Sequence, residues 1–405
     1  MTTAAIRREG ERDRLVVKLF QIDWTLCLLL TAIAAAGGLM LYSIAGGSWS
    51  PWAARHLALF LVCLIVMIAL AVVDLRVWFT LAYPVYGLGM ALLLAVAALG
   101  HASLGAQRWL DIGPVRLQPS EIMKIGVVLA LARFYHTVSP EQARLSWRLV
   151  IPALLIAAPA ALVARQPDLG TGLLIAATGG VMMVLAGLSL RLVAAGLVSL
   201  CLLATPVFLF VLKGYQRARL LTFLNPEADR SGAGYHIIQS KIALGSGGLL
   251  GKGFGLGTQS QLNFLPEKST DFIFSSMAEE FGFLGCVIVL CLYTAVIFIS
   301  LRAAAIAHSQ FGRLAAGGVT ATFALCVIIN GAMVMGLAPV VGVPMPLLSY
   351  GGTVMITMMV GFSLVLSVKV HRYAQMTTGK SAMIGPGSGR VRLGSIAAGR
   401  DKAKA

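Results

Sequence analysis

Residues 56–74 of the chain read HLALFLVCLIVMIALAVVD, and Asp74 is the first charged residue in this stretch. A transmembrane helix needs about 20 mostly apolar residues, so the stretch predicts one membrane crossing. Nine more stretches have the same character, which predicts an all-α integral membrane protein with about ten transmembrane helices. The predicted spans are residues 22–44, 56–74, 77–99, 119–136, 148–165, 168–187, 191–212, 271–301, 314–337 and 350–369.

The composition of the whole chain agrees with this prediction. Of its 405 residues, 58% are hydrophobic and 12% are charged, and the mean hydropathy is +0.86. Soluble domains average about 45–50% apolar and about 25% charged residues. These values exclude a soluble enzyme, a disordered protein and a collagen-like fibre. The six cysteines lie inside apolar runs without metal-ligand spacing, so we interpret them as core residues.

The positions of the basic residues predict how the chain is oriented. Lys and Arg in short loops mark the cytoplasmic side, and most of the 32 Lys and Arg residues lie there if the N-terminus is cytoplasmic. Residues 1–20 are then a cytoplasmic tail, residues 21–373 the membrane domain, and residues 374–405 a disordered basic cytoplasmic tail near anionic membrane lipids. One large extracytoplasmic loop, residues 213–270, lies between helices 7 and 8. The net charge of +16 therefore indicates a membrane surface and no nucleic-acid partner.

Polar residues inside membrane spans are costly and usually functional, and the fourth span begins with such residues. Glu121 and Lys124 lie three residues apart, so they share one helix face. They are either a neutralised ion pair that joins helices, or a site where Lys124 holds an anionic ligand that Glu121 orients. Arg108 lies shortly before this span. Asp168 follows a proline at the start of the sixth span and has the pattern of a helix N-cap.

The large outer loop carries many basic residues, and its residues 245–257 include seven glycines (the Gly-rich loop). The Gly-rich loop lacks the Walker A spacing, so we interpret it as flexible and partly re-entrant. Asp271 follows the large loop at the start of the eighth span, where a carboxylate is often only a helix cap. Residues 338–352, APVVGVPMPLLSYGG (the outer turn), indicate broken backbone lining a cavity. Ser349 and Tyr350 would supply hydroxyl groups to it.

Cations therefore cluster with a few carboxylates at the outer face. Such a cluster suits a phosphate or diphosphate headgroup whose lipid tail stays in the bilayer. The candidate ligands of this headgroup are Arg108, Lys124, Arg217, Arg219, Lys241 and Lys252. Glu279 and Glu280, about two turns beyond Asp271, either line the cavity or make buried polar contacts.

Five motifs resemble the SEDS family of shape, elongation, division and sporulation proteins, and in particular its elongation branch. They are RWLDIGPVRLQPSEIMKI (108–125), RQPDLGTG (165–172), the stretch from GYHIIQSK to STDFIF (234–274), AEEFGFLG (278–285) and PVVGVPMPLLSYGG (339–352). The resemblance implies a peptidoglycan glycosyltransferase that polymerises lipid II on the outer face of the cytoplasmic membrane. It also implies a class B penicillin-binding protein as partner, Asp271 as the catalytic aspartate, and Glu121 and Lys124 as cavity residues.

The implied reaction agrees with this set of residues. A carboxylate acting as general base on the attacking sugar hydroxyl contributes about 10²–10⁴-fold. A diphosphate leaves as a stable anion and needs cations to stabilise it. No cofactor is firmly implied, although a divalent cation, Mg²⁺ or Mn²⁺, would stabilise the same charge. Two other functions stay open at this point: a lipid II flippase, which also needs a polar cavity, and a non-catalytic scaffold.

Overall fold

The computed structural model describes residues 15–99, 101–103, 106–112, 115–138, 149–206, 210, 214–229, 232–265 and 267–373. The predicted C-terminal tail, residues 374–405, and most of the N-terminal tail lie outside these residues. Ten helices of the described part lie where the sequence predicts membrane spans. They are α1 (Trp24–Ile44), α2 (Ala53–Ala71), α3 (Leu75–Leu99), α4 (Pro119–Thr137), α5 (Val150–Arg165), α6 (Leu169–Leu185), α7 (Leu190–Pro206), α11 (Ile273–Ile306), α12 (Gln310–Val334) and α13 (Gly352–Val370).

The lengths and apolarity of these helices confirm a helical membrane protein. Among the described residues, six helices are long and apolar enough to cross a bilayer: α1, α2, α3, α11, α12 and α13. Helices α5 and α6 are shorter but apolar. Helix α4 has 19 residues and contains charged residues, including Glu121 and Lys124.

The centre of the protein is formed by α4, α12 and α13. Helix α4 packs against α3, α6 and α12, while α13 packs against α2, α11 and α12. Nearly every residue of α4 from Pro119 to Tyr135 is buried. Helices at the surface of the bundle, such as α2 and α3, expose apolar side chains such as Leu61 and Leu88, as expected for lipid-facing helices. The polar residues of α4 therefore lie inside the protein and away from the lipid.

Short elements lie in two of the loops between the membrane helices. A three-stranded antiparallel sheet, β1 (His101–Ser103), β2 (Ala106–Ile112) and β3 (Val115–Leu117), precedes α4; the sequence analysis did not predict it. The large loop before α11 contains α8 (Gly214–Leu224), a 3₁₀ helix (Pro226–Ala228), α9 (Ala233–Ser246) and α10 (Thr258–Gln261).

The Gly-rich loop packs on a break in helix α11. Gly282 has φ +63° and ψ −162° within the helix, so backbone groups on both sides lose their helical partners. The N–H groups of Lys252 and Gly253 donate to the carbonyls of Glu279 and Glu280, both at 3.0 Å. In return, the N–H groups of Phe283 and Leu284 donate to the carbonyls of residues 248 and 249, at 2.9 and 3.1 Å. The Gly-rich loop therefore provides hydrogen-bond partners for the backbone groups on both sides of the helix break.

Alanine substitutions at two glycines of this loop should lower the stability of the protein by different amounts. Gly251 has φ +80°, and a Cβ there would overlap the carbonyl oxygen of Glu280. Gly255 has φ +74°, but a Cβ there meets nothing within 4 Å. A left-handed backbone costs a non-glycine residue about 1–2 kcal/mol, and overpacking adds about 1–3 kcal/mol. We therefore expect Gly251→Ala to lower the apparent Tm of the detergent-purified protein clearly more than the matched Gly255→Ala. Equal shifts would contradict the close packing.

Candidate active site

The outer turn brings distant candidate residues together. Its residues 340–343 lie beside four other parts of the chain in succession. The carbonyl of Val340 accepts a hydrogen bond from Arg219 Nη1 at 3.5 Å, and Val341 lies so close to α6 that a Cβ at Gly170 would overlap its carbonyl oxygen. A Cβ at Gly342 would lie 3.4 Å from Asp271 Oδ2. The carbonyl of Val343 accepts from Asn330 Nδ2 at 2.8 Å.

Asp271 lies just before the N-terminus of α11 and is half-buried. Phe272 is the N-cap residue of this helix, so Asp271 lies one residue outside the position that a capping carboxylate would take. Its backbone carbonyl accepts from Asn330 Nδ2 at 2.8 Å. Two residues earlier, the carbonyl of Ser269 accepts from the N–H of Tyr350 at 2.8 Å. The segment before α11 is thus joined to the outer turn directly at Tyr350 and, through Asn330, at Val343.

Glu121 and Lys124 form a buried ion pair in the first turns of α4. Lys124 Nζ lies 2.7 Å from Glu121 Oε2, and each side chain is only 4% exposed. Thr357 of α13 donates to the same Glu121 oxygen at 3.3 Å. The Lys124 ammonium also interacts electrostatically with Asp168. The predicted shared helix face is confirmed, and the pair lies in the polar interior between helices.

Helix α12 lies between this ion pair and Asp271. It packs against α4, which carries the ion pair. Its Asn330 donates to the backbone carbonyl of Asp271 at 2.8 Å. Helix α12 therefore borders both the helix of the ion pair and the segment that contains Asp271.

Asp168 has the structural role that the sequence predicts. It is the N-cap residue of α6, and its Oδ1 accepts from the N–H of Thr171 at 3.3 Å. Its Oδ2 accepts from Gln118 Nε2 at 3.4 Å, which links α6 to the residue before α4. The cap thus also fixes the outer ends of α4 and α6 beside the outer turn.

The basic residues of the large loop differ in their positions. Arg217 and Arg219 are half-buried on α8, and Arg219 reaches the outer turn. Lys241 of α9 is exposed, and its side chain lies against Gly336, just before the outer turn. Lys241 also borders a cavity of about 370 Å³, whose other lining residues are Pro226, Glu227, Ile237, Ile238 and Ile242. Arg108 lies on β2, and its side chain is outside the described part of the structure.

Lys252 is not brought to the outer turn. Its Nζ lies 2.7 Å from Glu279 Oε1 and donates to Thr258 Oγ1 at 3.0 Å. Glu279 is fully buried and accepts from the N–H of Gln259 as well. Glu280 accepts from Ser43 Oγ of α1 at 2.6 Å and from the N–H of residue 255 at 3.1 Å. Of the two roles considered for Glu279 and Glu280, these contacts favour buried polar contacts that attach the Gly-rich loop.

Ser349 and Tyr350 make hydrogen bonds that stabilise the outer turn. Ser349 is buried, and its Oγ accepts from the N–H of Met345 at 2.9 Å. Tyr350 contributes its backbone N–H to the contact with Ser269, while its side chain is half-exposed. Their roles as substrate ligands stay predictions.

Two residues that contact the Asp271–Phe272 segment were not predicted from the sequence. Asn330 is fully buried in α12, and a lone asparagine within a membrane span was the signal that could have identified it. His236 of α9 stacks on Phe272, with ring centroids 5.9 Å apart and planes 12° apart. Burial lowers the pKa of His236, against the opposing effect of the carboxylates of Glu267 and Asp229. A neutral imidazole is thus favoured against the ring of Phe272.

The described residues contain no cluster of three or more His, Cys, Asp or Glu side chains able to hold a metal ion. At the turn of irregular backbone they bring together the half-buried carboxylate of Asp271 and the guanidinium group of Arg219. Arg217 lies on the same helix as Arg219, and Lys124 lies in the buried ion pair of α4. This arrangement can accept a proton from a bound hydroxyl group and can stabilise an anion.

Comparisons with known proteins agree with the geometry. The sequence model of the cell cycle protein family of FtsW, RodA and SpoVE matches residues 18–374. The peptidoglycan glycosyltransferase MrdB of Escherichia coli K12 is 46% identical over 352 residues, which cover 87% of this chain and 94% of that protein. MrdB of Helicobacter pylori J99 is 36% identical, over 72% of this chain and 76% of that protein.

Two solved structures are also similar to this chain. One, from a study of how a peptidoglycan synthase complex structurally coordinates polymerization and crosslinking, has a TM-score of 0.76 and 35% identity. The match covers 87% of this chain and 99% of the chain in that structure. The rod shape determining protein RodA of Thermus thermophilus has a TM-score of 0.66 and 30% identity, with coverage of 98% of that chain and 87% of this one.

Proposed function

The chain belongs to the FtsW, RodA and SpoVE family of cell cycle proteins and is a peptidoglycan glycosyltransferase, and from this premise we propose that it polymerises lipid II with Asp271 as the general base. The proposal rests on one observation at the outer turn: its residues 340, 341 and 342 lie next to Arg219, Gly170 and Asp271, respectively. The proximity of a carboxylate and a guanidinium group to one stretch of irregular backbone supports the proposal.

In the proposed reaction, a sugar hydroxyl of the acceptor attacks the anomeric carbon of the donor. The bond from that carbon to the diphosphate oxygen breaks, the configuration inverts, and undecaprenyl diphosphate leaves. The hydroxyl proton passes to the carboxylate of Asp271. Correct placement of such a base contributes about 10²–10⁴-fold, and the half-buried position of Asp271 leaves this residue partly accessible to a substrate.

The leaving group needs positive charge and no proton. Lys124 is the buried candidate, since its helix packs against α12, and Asn330 of α12 holds the backbone of Asp271. Arg219 and Arg217 approach from the large loop and can add bidentate contacts to phosphate oxygens. Glu121 holds the Lys124 ammonium at 2.7 Å and orients it. Lys241 and Arg108 are candidates for contacts further out, and a divalent cation would act on the same diphosphate.

The setting of the reaction is the outer face of the cytoplasmic membrane, with both termini cytoplasmic. The distribution of basic residues in short loops supports this orientation. We also infer a class B penicillin-binding protein as partner, which would crosslink the new strands. The similarity to a chain from a peptidoglycan synthase complex that coordinates polymerization and crosslinking supports such an assembly.

The function is tested with the full chain in detergent, where transport between leaflets is impossible. We expect the chain, purified together with a class B penicillin-binding protein and supplied with lipid II, to form long glycan strands. The partner alone is the control and should form none. If the chain moved lipid II across vesicle membranes but formed no polymer in detergent, the proposal would be wrong.

A further inference from the structure

We propose that Asn330 is a positioning residue for the glycosyl transfer, whose side-chain amide joins the backbone of Asp271 to that of Val343 and so aligns the Asp271 carboxylate with the outer turn. The inference rests on the proposed function of Asp271. It assigns a role to a residue that does not itself touch the reacting atoms.

Asn330 makes its hydrogen bonds through the two N–H groups of its side-chain amide. Nδ2 donates to the carbonyl of Asp271 at 2.8 Å and to the carbonyl of Val343 at 2.8 Å. The side chain is 0% exposed. One amide group of α12 thus connects the segment before α11 with the outer turn.

The chemistry of the position favours a dedicated role. A polar side chain in a membrane-spanning helix is costly and persists where it satisfies other polar groups. The two carbonyls belong to non-helical backbone, which has no regular partner at that depth. A buried carbonyl without a donor is unfavourable, so loss of the amide leaves both segments without a shared anchor.

Gly342, the residue before Val343, explains how Asn330 can align the Asp271 carboxylate. Gly342 has φ +69°, and its missing Cβ is the point that faces Asp271 Oδ2. Movement of Val343 therefore also moves the surface against which the carboxylate lies. Because the Asn330 amide holds both the backbone of Asp271 and the turn that the Asp271 side chain faces, it sets the position of the carboxylate relative to the turn.

The same turn carries the contact with Arg219, through the carbonyl of Val340. Release of Val343 would consequently change the distance between the base and this cation. A misplacement of about 1 Å can lower a reaction rate by roughly 10²-fold. We expect the effect of Asn330 to fall on the chemical step and not on the affinity for lipid II.

The test compares Asn330→Leu, which removes both donors but keeps the branching and the number of side-chain heavy atoms, with Asn330→Gln, which keeps the donors on a longer arm. Thr320→Val is the matched control, because Thr320 is buried in the same helix and its hydroxyl donates only to Ala316 within that helix, among the contacts described. All variants are measured in the full chain with its partner, by kcat and KM for lipid II and by apparent Tm.

We expect Asn330→Leu to lower kcat by roughly 10²-fold with little change in KM, Asn330→Gln to recover part of this loss, and Thr320→Val to polymerise normally. Asn330→Ser, a small residue with a single donor, replaces the Leu variant if that protein does not accumulate, with a loss of kcat expected again. Normal kcat in the Leu variant, or a parallel loss of kcat and lipid II binding, would overturn the inference. Normal polymerisation by Asp271→Asn would instead overturn the proposed function.

Discussion

Replacing Asp271 by Asn abolishes most glycan polymerisation, by about 10²–10⁴-fold, because the amide cannot accept the proton of the attacking hydroxyl. The substitution preserves the shape of the side chain that faces Gly342. Binding of lipid II should therefore remain close to that of the unchanged protein. Single-turnover polymerisation of labelled lipid II, together with a binding measurement on the same preparation, separates these two quantities.

Glu267→Gln provides the control for this experiment. Glu267 is an exposed carboxylate four residues before Asp271, and it accepts a hydrogen bond from Thr270 at 3.0 Å. We expect its neutralisation to leave polymerisation nearly unchanged. If Asp271→Asn polymerised as well as Glu267→Gln, the carboxylate of Asp271 would not be the base.

Replacing Lys124 by Met has the second largest expected effect, because it acts on both stability and activity. The substitution leaves the Glu121 carboxylate buried at 4% exposure without its cation. Breaking a buried ion pair from one side costs about 3–5 kcal/mol. If Lys124 also stabilises the departing diphosphate, the rate falls by about 10²–10³-fold, the effect expected for one lost electrostatic contact.

The double variant Glu121→Gln, Lys124→Met distinguishes the two roles that the sequence left open for this pair. A neutral pair has no uncompensated charge, so the apparent Tm should recover toward that of the unchanged protein. Polymerisation should remain low if Lys124 holds the diphosphate. Recovery of both Tm and polymerisation would instead mean that the pair only joins helices.

The sequence predicted the membrane helices well because the signal for them is local. The apolar side chains of a stretch such as residues 56–74 are stable only in lipid or in a buried core. Helix α2 lies at this stretch. The contact between Glu121 and Lys124 was equally local, since it follows from their spacing on one helix. The cap at Asp168 depended only on residues within one turn.

The Gly-rich loop shows where local information was insufficient. Its glycines were consistent with a flexible loop that approaches a ligand or the membrane. In the structure they allow close approach to α11, because the break at Gly282 leaves backbone groups that only another backbone could reach. The carboxylates of Glu279 and Glu280 complete this contact, and no spacing in the chain indicated that Lys252 would pair with Glu279.

The amino-acid sequence by itself thus determined that the chain lies in a membrane and where its helices run, and it named the charged side chains that were candidates for the site. The tertiary structure alone decided which of these side chains meet. Asp271, Arg219, Gly170 and Asn330 come together only because residues 340–343 fold between α6, α8, α11 and α12. Those contacts join residues far apart in the chain, and their geometry depends on helix packing and on backbone hydrogen bonds that no local pattern encodes.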